Sequence, residues 1–495
     1  MASFGARDRE KFKERTGDAT EAQKEATFVR WLSENGAKFA ECVELRSYDD
    51  EVRGVHAARD LRTDEILIEV PLKCLITVEM GKGTEVGRAV LEAELELDAP
   101  KHVFLMLFLL LDRRDAASFF APYYNMLPST LRNMPIFWDA HELEWLQGSY
   151  LLTQIEERKR AIKADYEAIC GIWPSFIDIC TLEEFKWARM CVCSRNFGVV
   201  VNGVRTSAMV PYADMLNHFR PRETKWTYDN SRGAFTITSL QNIIAGAQIY
   251  DSYGQKCNHR FLLNYGFAVE DNREPDGFCP NEAALLLRLC PDDTLASRKQ
   301  LLWIRDGAVG AKRVRVCASD NENFRACMSL LRVVAADQAE LERILGQNPY
   351  GSYRTASDVH FPISLRNECA ALNILKQTCE NMLDCYPSDL SEDVQALASG
   401  ALMPFSNKRH ATIHVKSEKI VLHHYVHFAT TALELTNMHS NDFDAAVARL
   451  FNSHEHRHVA AYSNGILRQV RRTGRTQQNM TKASAPIDLS EPTIV

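Results

Sequence analysis

A chain of 495 residues is longer than one ordinary hydrophobic core organises, so at least two domains are expected. Hydrophobic residues at 46% and charged residues at 25% exclude a disordered or fibrous chain and describe a globular one. A formal net charge of -7, with no run of Lys and Arg above the background, argues against a nucleic-acid groove.

The longest apolar run, Val103 to Leu111, falls well short of the roughly 20 residues a membrane span needs, and Asp112, Arg113 and Arg114 close it. It reads as a buried helix, and no membrane partner is expected. The leader, residues 1–25, mixes Lys, Arg, Glu and Asp without an apolar centre, so it carries no targeting signal and points to the cytoplasm or nucleus. The 14 cysteines are scattered, with Cys191 and Cys193 the closest approach to a pair, which predicts reduced thiols and no metal.

In chain order, the first element is a helix within residues 25–39, where Phe28, Trp31 and Leu32 keep helical spacing and Glu34-Asn35-Gly36 supplies the stop. RGVHAARDL and EILIEVPLKCLITVE follow as short strands, with Ile66, Ile68 and Val70 alternating and Pro71 interrupting. From Gly81 to Glu184 the pattern turns helical, in VGRAVLEAELEL, HVFLMLFLLLDRR and the long segment after HELEWL. Strand character returns in GVVVNGVRTSAMVPYA, in KWTYDNSRGAFTITSLQ with a turn at Asn230 to Gly233, and in QIYDSYG. The core is therefore α+β, with a helical block set among strands. Past the link Asn272 to Gly277 the apolar spacing is largely helical again, and residues 466–495 are polar enough to read as a disordered tail.

Three segments carry the chemistry: SRNFG (194–198), VPYADMLNH (210–218) and SYGQKCNHRFLLNYGF (252–267). NH and YG dipeptides are common singly, and it is their ordered set at this spacing that is specific. The set resembles the SET domain, in the Rubisco large-subunit methyltransferase subclass that includes the actin-histidine methyltransferase. EVPLKCLITVE, FFAPYYNMLPS (119–129) and the helical C-terminal region extend the resemblance over roughly residues 26–460. It implies a SET domain over 26–270, made of small β-sheets with a knot-like core and a helical iSET insertion at about 85–185. It further implies an all-α substrate-binding domain over 278–465.

Position by position, the resemblance places Arg195, Asp214, Asn217 and His218 against S-adenosylmethionine, together with Tyr253 and Phe267. Glu51 and Arg53, just before Gly54, match the cofactor loop less closely, because Val52 stands where the family usually has a second glycine. Read alone, Asp214 and Asn217 would be turn or capping residues and His218 a satisfied core histidine. Tyr253 falls on the catalytic tyrosine, whose hydroxyl is expected where nitrogen, methyl carbon and sulfur line up. Transfer from a sulfonium needs little acid or base help, so alignment and exclusion of water are expected to carry the acceleration. A lysine, with a reference pKa of about 10.4, would be deprotonated by the nearby sulfonium charge and by desolvation.

The same resemblance gives Phe197, Ala213, Trp226, Tyr265 and Phe267 as substrate-binding residues. Phe197 and Ala213 stand where the histidine-methylating branch carries Asn and Trp. Phe197, Tyr265 and Phe267 would form an aromatic channel along a lysine stem, although any one of them alone would read as core. The charged run FRPRETK (219–225) and Lys256 would favour acidic neighbours in the peptide. The expectation is thus a monomeric protein-lysine N-methyltransferase acting on a non-histone protein, since no cysteine-rich zinc cluster flanks the core. The alternatives are a protein-histidine N-methyltransferase, and a weakly catalytic scaffold, which the presence of Tyr253 and the Asn217-His218 pair disfavours.

Overall fold

The computed structural model describes residues 20–39, 41–48, 53–305, 307, 309–319, 321–346, 355–453 and 456–472. They fall into two compact units, one running to Phe278 and including Asp393–Val415, the other formed by Cys279–Glu392 and the chain from Lys416 onward. The expected single boundary near 278 therefore misses a return of the chain into the first unit. Neither composition nor a linker signal marks that return.

The first unit opens on helix Glu21–Glu34. Thr20 accepts a hydrogen bond from the Gln23 amide, and the Gln23 side chain accepts from the Thr20 amide, a reciprocal cap that starts the helix inside the expected leader. Its apolar stripe, Phe28, Trp31 and Leu32, is buried as the spacing required. Residues 1–19 of that leader lie outside the described residues.

Strands β1 (Val43–Ser47), β2 (Arg53–Ala57), β3 (Ile66–Pro71) and β4 (Ile76–Thr77) precede the helical block, and β5 (Asn196–Val201) and β6 (Val204–Met209) follow it. The two-residue β7 (Asn217–His218), β8 (Thr224–Asp229), β9 (Ala234–Ser239) and β10 (Gln248–Asp251) complete three small sheets, ordered β1-β2-β10-β7, β3-β9-β8 and β4-β6-β5. β7 runs parallel to β10, with Asn217 beside Tyr250 and His218 beside Asp251. A parallel pair needs a crossover connection. Here the β8–β9 hairpin, which pairs in another sheet, makes it and delivers the end of β10 alongside Asn217 and His218.

The helical block runs from Val78 to Arg195, wider at both ends than 85–185. Helix Pro100–Asp112 buries Val103, Phe104, Leu105, Met106, Leu107, Leu109 and Leu110, and among the described residues no helix is long and apolar enough to cross a membrane. Helix Val78–Lys82 crosses it so closely that a Cβ on Gly81 would lie 1.8 Å from the Phe104 carbonyl oxygen. Only glycine permits that approach. Helix Leu182–Arg195, started by a Thr181–Glu184 capping box, runs straight into β5.

The second unit is mainly helical, with Asn321–Ala335 and Leu365–Leu383 as packed neighbours. It also holds a two-stranded antiparallel sheet of β11 (Glu282–Arg288) and β12 (Ala311–Cys317), which corrects the all-α expectation. EAALLLR is a short apolar run whose periodicity does not separate strand from buried helix, and its partner lies some way along the chain. The expected tail also begins later than 466. Leu467 and Val470 are buried, and Arg471 donates to the carbonyls of Leu435 and Thr436 at 2.7 and 2.5 Å, so helix continues through residue 472. Residues 473–495 lie outside the described residues.

Candidate active site

Beneath the site lies a buried ion pair. Arg195 Nη1, at the end of helix Leu182–Arg195, sits 2.9 Å from Asp214 Oδ2 with both side chains almost wholly enclosed. The Tyr123 hydroxyl donates to the same carboxylate at 2.9 Å. Tyr212, buried against Phe39 with ring centroids 4.2 Å apart, takes φ 71° to turn the chain into the short helix Ala213–Met215. A bulky residue holds such a φ only where packing over-determines it. The turn aims Leu216, Asn217 and His218 along β10.

Asn217 Nδ2 donates to the Arg53 carbonyl at 2.8 Å and to Gln248 Oε1 at 2.7 Å. Gln248 Nε2 in turn donates to the Tyr48 hydroxyl at 2.9 Å. A Cβ on Gly54 would stand 2.7 Å from both Gln248 Oε1 and the Tyr48 hydroxyl, which explains a glycine directly after Arg53. Arg53 donates to the Met126 carbonyl at 2.7 Å, and Glu51 lies outside the described residues.

His218 Nδ1 accepts the Tyr253 amide at 3.0 Å, which puts the ring proton on Nε2. Burial, reinforced by the Arg220 charge, pushes its pKa down to about 3, so the imidazole is neutral at physiological pH. The Tyr253 hydroxyl donates to the Leu216 carbonyl at 2.8 Å, and desolvation holds the phenol well above its usual range. Tyr253 stacks on Tyr265 at 4.9 Å and meets Phe267 edge-on at 6.1 Å, while Phe261 stacks on Phe267 at 5.2 Å and lies 4.8 Å from His218. The result is a packed cluster of uncharged rings in which the Tyr253 hydroxyl is fixed on the Leu216 carbonyl.

The family of SET domains matches residues 52–254, and the Rubisco LSMT substrate-binding family matches residues 290–422. The chain carries a SET domain followed by a Rubisco LSMT substrate-binding domain. Actin-histidine N-methyltransferase of Rhinolophus ferrumequinum is 27% identical over 376 residues, covering 74% of this chain and 62% of that protein. The Homo sapiens protein of the same name is 26% identical over 380 residues with the same coverage, and that of Gallus gallus 25% over 420 residues, covering 82% of this chain and 68% of its own. This chain thus spans 62% of the length of the first of these relatives. Among solved structures, the SET domain of LSMT bound to lysine and AdoHcy superposes with a TM-score of 0.69 at 22% identity, covering 83% of this chain and 92% of that one. Rubisco LSMT bound to AdoMet gives 0.66 with the same identity and coverage.

Within this SET domain the expected aromatic channel divides. Tyr265 and Phe267 gather at Tyr253, whereas the ring neighbours of Phe197 are Trp226 at 5.4 Å and Phe235 at 5.0 Å. Phe197 and Trp226 belong to β5 and β8, and Ala213 is buried in its turn. Lys256 Nζ donates to the Tyr253 carbonyl and lies 5.7 Å from the centre of the Tyr265 ring, its pKa lowered by burial and by Arg260 and Arg220. Arg220 binds the Gly254 carbonyl at 3.1 Å and Glu274 at 3.0 Å, so part of the charged run braces the turn after Tyr253. Sequence reasoning did not single out Tyr123, Gln248, Asn133 or Phe261. Tyr123 and Phe261 lay inside quoted motif stretches and Gln248 opened the strand segment QIYDSYG, whereas no local pattern marks Asn133.

Gly266 carries φ 78°, and a Cβ there would fall 1.9 Å from Asn133 Nδ2, which donates to the Tyr265 carbonyl at 3.2 Å. Gly266→Ala is expected to destabilise the SET domain by about 1–3 kcal/mol, from the left-handed backbone and the forced shift of Asn133, and to displace Tyr265 and Phe267. Urea unfolding checks the first effect and the near-ultraviolet aromatic dichroism the second.

Burial pushes the Asp251 carboxyl up to about 6, against the opposing Ser252 amide at 2.7 Å. A folded-state pKa above the unfolded value of about 3.9 means the fold holds the proton more tightly. Stability from this group is full at low pH and is lost as pH rises from about 4 through about 6. Asp251→Asn is expected to flatten that fall, as read by urea midpoints measured across the same pH range.

Proposed function

We propose that this chain is a protein N-methyltransferase using S-adenosylmethionine, and that the observation carrying the reading is the β7–β10 pairing that sets Asn217 and His218 beside Tyr253, with the Tyr253 amide on His218 Nδ1 and its hydroxyl on the Leu216 carbonyl. The residues present suit the cofactor. Its sulfonium is a cation, and the faces of Tyr253, Tyr265 and Phe267 attract cations while the neutral His218 adds no repulsion. Asp214 Oδ1 is a buried acceptor with no hydrogen-bond partner in the structure, which leaves capacity for a donor. Bound S-adenosylmethionine supplies a methyl group activated by the positive sulfur.

The backbone at Arg53–Gly54 and at Asn217–His218 would hold the cofactor, and the Arg195–Asp214–Tyr123 cluster fixes that backbone from below. The Tyr253 hydroxyl stays a neutral phenol whose lone pairs could accept an N–H from an amine acceptor, while the surrounding rings exclude water and would fix the approach of an imidazole, whose attacking nitrogen carries no proton. The acceptor nitrogen is read first as histidine, because the curated relatives at 25–27% identity carry that name and actin is their stated substrate. A neutral imidazole can attack without prior deprotonation, losing its other ring proton afterwards. Lysine is the second reading. The Tyr253–Tyr265–Phe267 group suits an alkyl stem, Phe197 and Ala213 differ from the histidine branch, and a fold neighbour binds lysine. A non-histone protein substrate, acted on by a monomer in the cytoplasm or nucleus, belongs to the same proposal.

The test offers the full chain labelled S-adenosylmethionine with purified actin, and separately with a cell lysate, and locates the label by mass spectrometry. Methyl-histidine is expected. Methyl-lysine replaces the first reading with the second, and bound cofactor with no labelled protein overturns both.

A further inference from the structure

Outside the SET domain, the second unit brings four histidines into two facing pairs that methyl transfer does not use. His424 Nε2 lies 3.1 Å from His458 Nδ1, with the rings parallel to within 10°. His427 Nε2 lies 3.1 Å from His456 Nδ1. His424 and His427 stand one turn apart on helix Asn407–Thr436, so they share a face. His456 caps helix Arg457–Tyr462 and His458 sits in it, so the two pairs bridge the same two helices.

Nitrogens this close are either hydrogen-bonded or chelating. In a tetrahedral ion with metal–nitrogen bonds of about 2.0–2.1 Å, two ligand nitrogens stand about 3.3 Å apart, so each pair needs to open by only a fraction of an ångström. Burial, with the His424 charge adding to it, pushes the His458 pKa down to about 4, so no proton competes there near neutrality. The inner pair is enclosed by Phe324 and Phe428, whose rings lie 4.9 and 4.8 Å from His458. His458 also lines a cavity of about 710 Å³ with Phe324, Arg325 and His360, a path for an ion and its waters. The outer pair is more open, with His427 at the surface.

We propose that these pairs bind divalent transition ions of the zinc and nickel class, one ion per pair, clipping helix Arg457–Tyr462 to the long helix. When both imidazoles of a pair are neutral, one N–H lies between the facing nitrogens. On binding, the donating ring moves that proton to its other nitrogen, both facing nitrogens give a lone pair to the ion, and water fills the remaining positions.

The test titrates chelator-treated full chain with Ni²⁺ by calorimetry and follows thermal unfolding with and without the ion. Nickel is chosen because imidazole suits it and the cysteines are less favoured competitors for it than for zinc. Saturable uptake and a raised Tm are expected in the wild type. His427→Gln with His456→Gln, and His424→Gln with His458→Gln, should each remove one ion's share, and the four changes together should remove all of it. Ion-free melts show whether each variant folds, and the outer-pair variant, which disturbs least packing, decides if the inner one does not. A wild type without saturable uptake, or uptake that neither double variant lowers, overturns the proposal.

Discussion

Tyr253→Phe is expected to lower kcat for methyl transfer by about 10²–10³-fold while cofactor affinity stays within a few-fold. The hydroxyl is held by its 2.8 Å hydrogen bond to the Leu216 carbonyl, and its backbone amide is fixed on His218, so its position is set before any substrate arrives. Removing the oxygen keeps the ring stacked on Tyr265 but takes away the hydroxyl anchored on the Leu216 carbonyl. The fold should lose only about 1 kcal/mol, the worth of one hydrogen bond. Single-turnover transfer together with calorimetric cofactor binding checks both halves. An unchanged rate would remove Tyr253 from the reaction, and a lost affinity would make its role one of binding.

Arg195→Met is expected to destabilise the SET domain by about 3–5 kcal/mol, the cost of breaking a buried ion pair. Asp214 would keep a buried charge with the Tyr123 hydroxyl as its remaining side-chain donor in the structure. Arg195→Met combined with Asp214→Leu removes both charges and should recover part of the loss, since a buried pair is often replaceable by apolar residues. Denaturant midpoints of the three variants form the check. Equal losses in the single and double variants would mean that packing of the Arg195 stem, not the charge, carries the effect. Because the pair anchors the segment leading to Asn217, the single variant should also weaken cofactor binding, and the double variant should restore it in step with stability.

Much of this was readable from local pattern. Phe28, Trp31 and Leu32 at helical spacing, the apolar run Val103 to Leu111, and the turn between β8 and β9 each specify their element through neighbours a few residues away. The order strand, helix, strand, helix followed from those patterns alone. Partners far apart in sequence were not legible. Tyr123 reaches Asp214 across 91 positions and Asn217 reaches Gln248 across 31, and nothing at either end announces the other. The same reason hid the division of the aromatics, because Phe197 faces Trp226 and Phe235 only once β5 and the β8–β9 hairpin are brought together. Element ends moved where a side chain outside the hydrophobic pattern decided them, as Thr20 does at the first helix and Arg471 at the last.

In the proposed function, the Asn217–His218–Tyr253 arrangement serves methyl transfer to a protein nitrogen. The most direct measurement is incorporation of labelled methyl from S-adenosylmethionine into protein by the full chain, as a function of cofactor concentration. Saturable incorporation that places the label on a histidine or lysine nitrogen is the predicted result. A folded chain that binds S-adenosylmethionine yet labels no protein in any lysate offered, or that binds none at all, would contradict it.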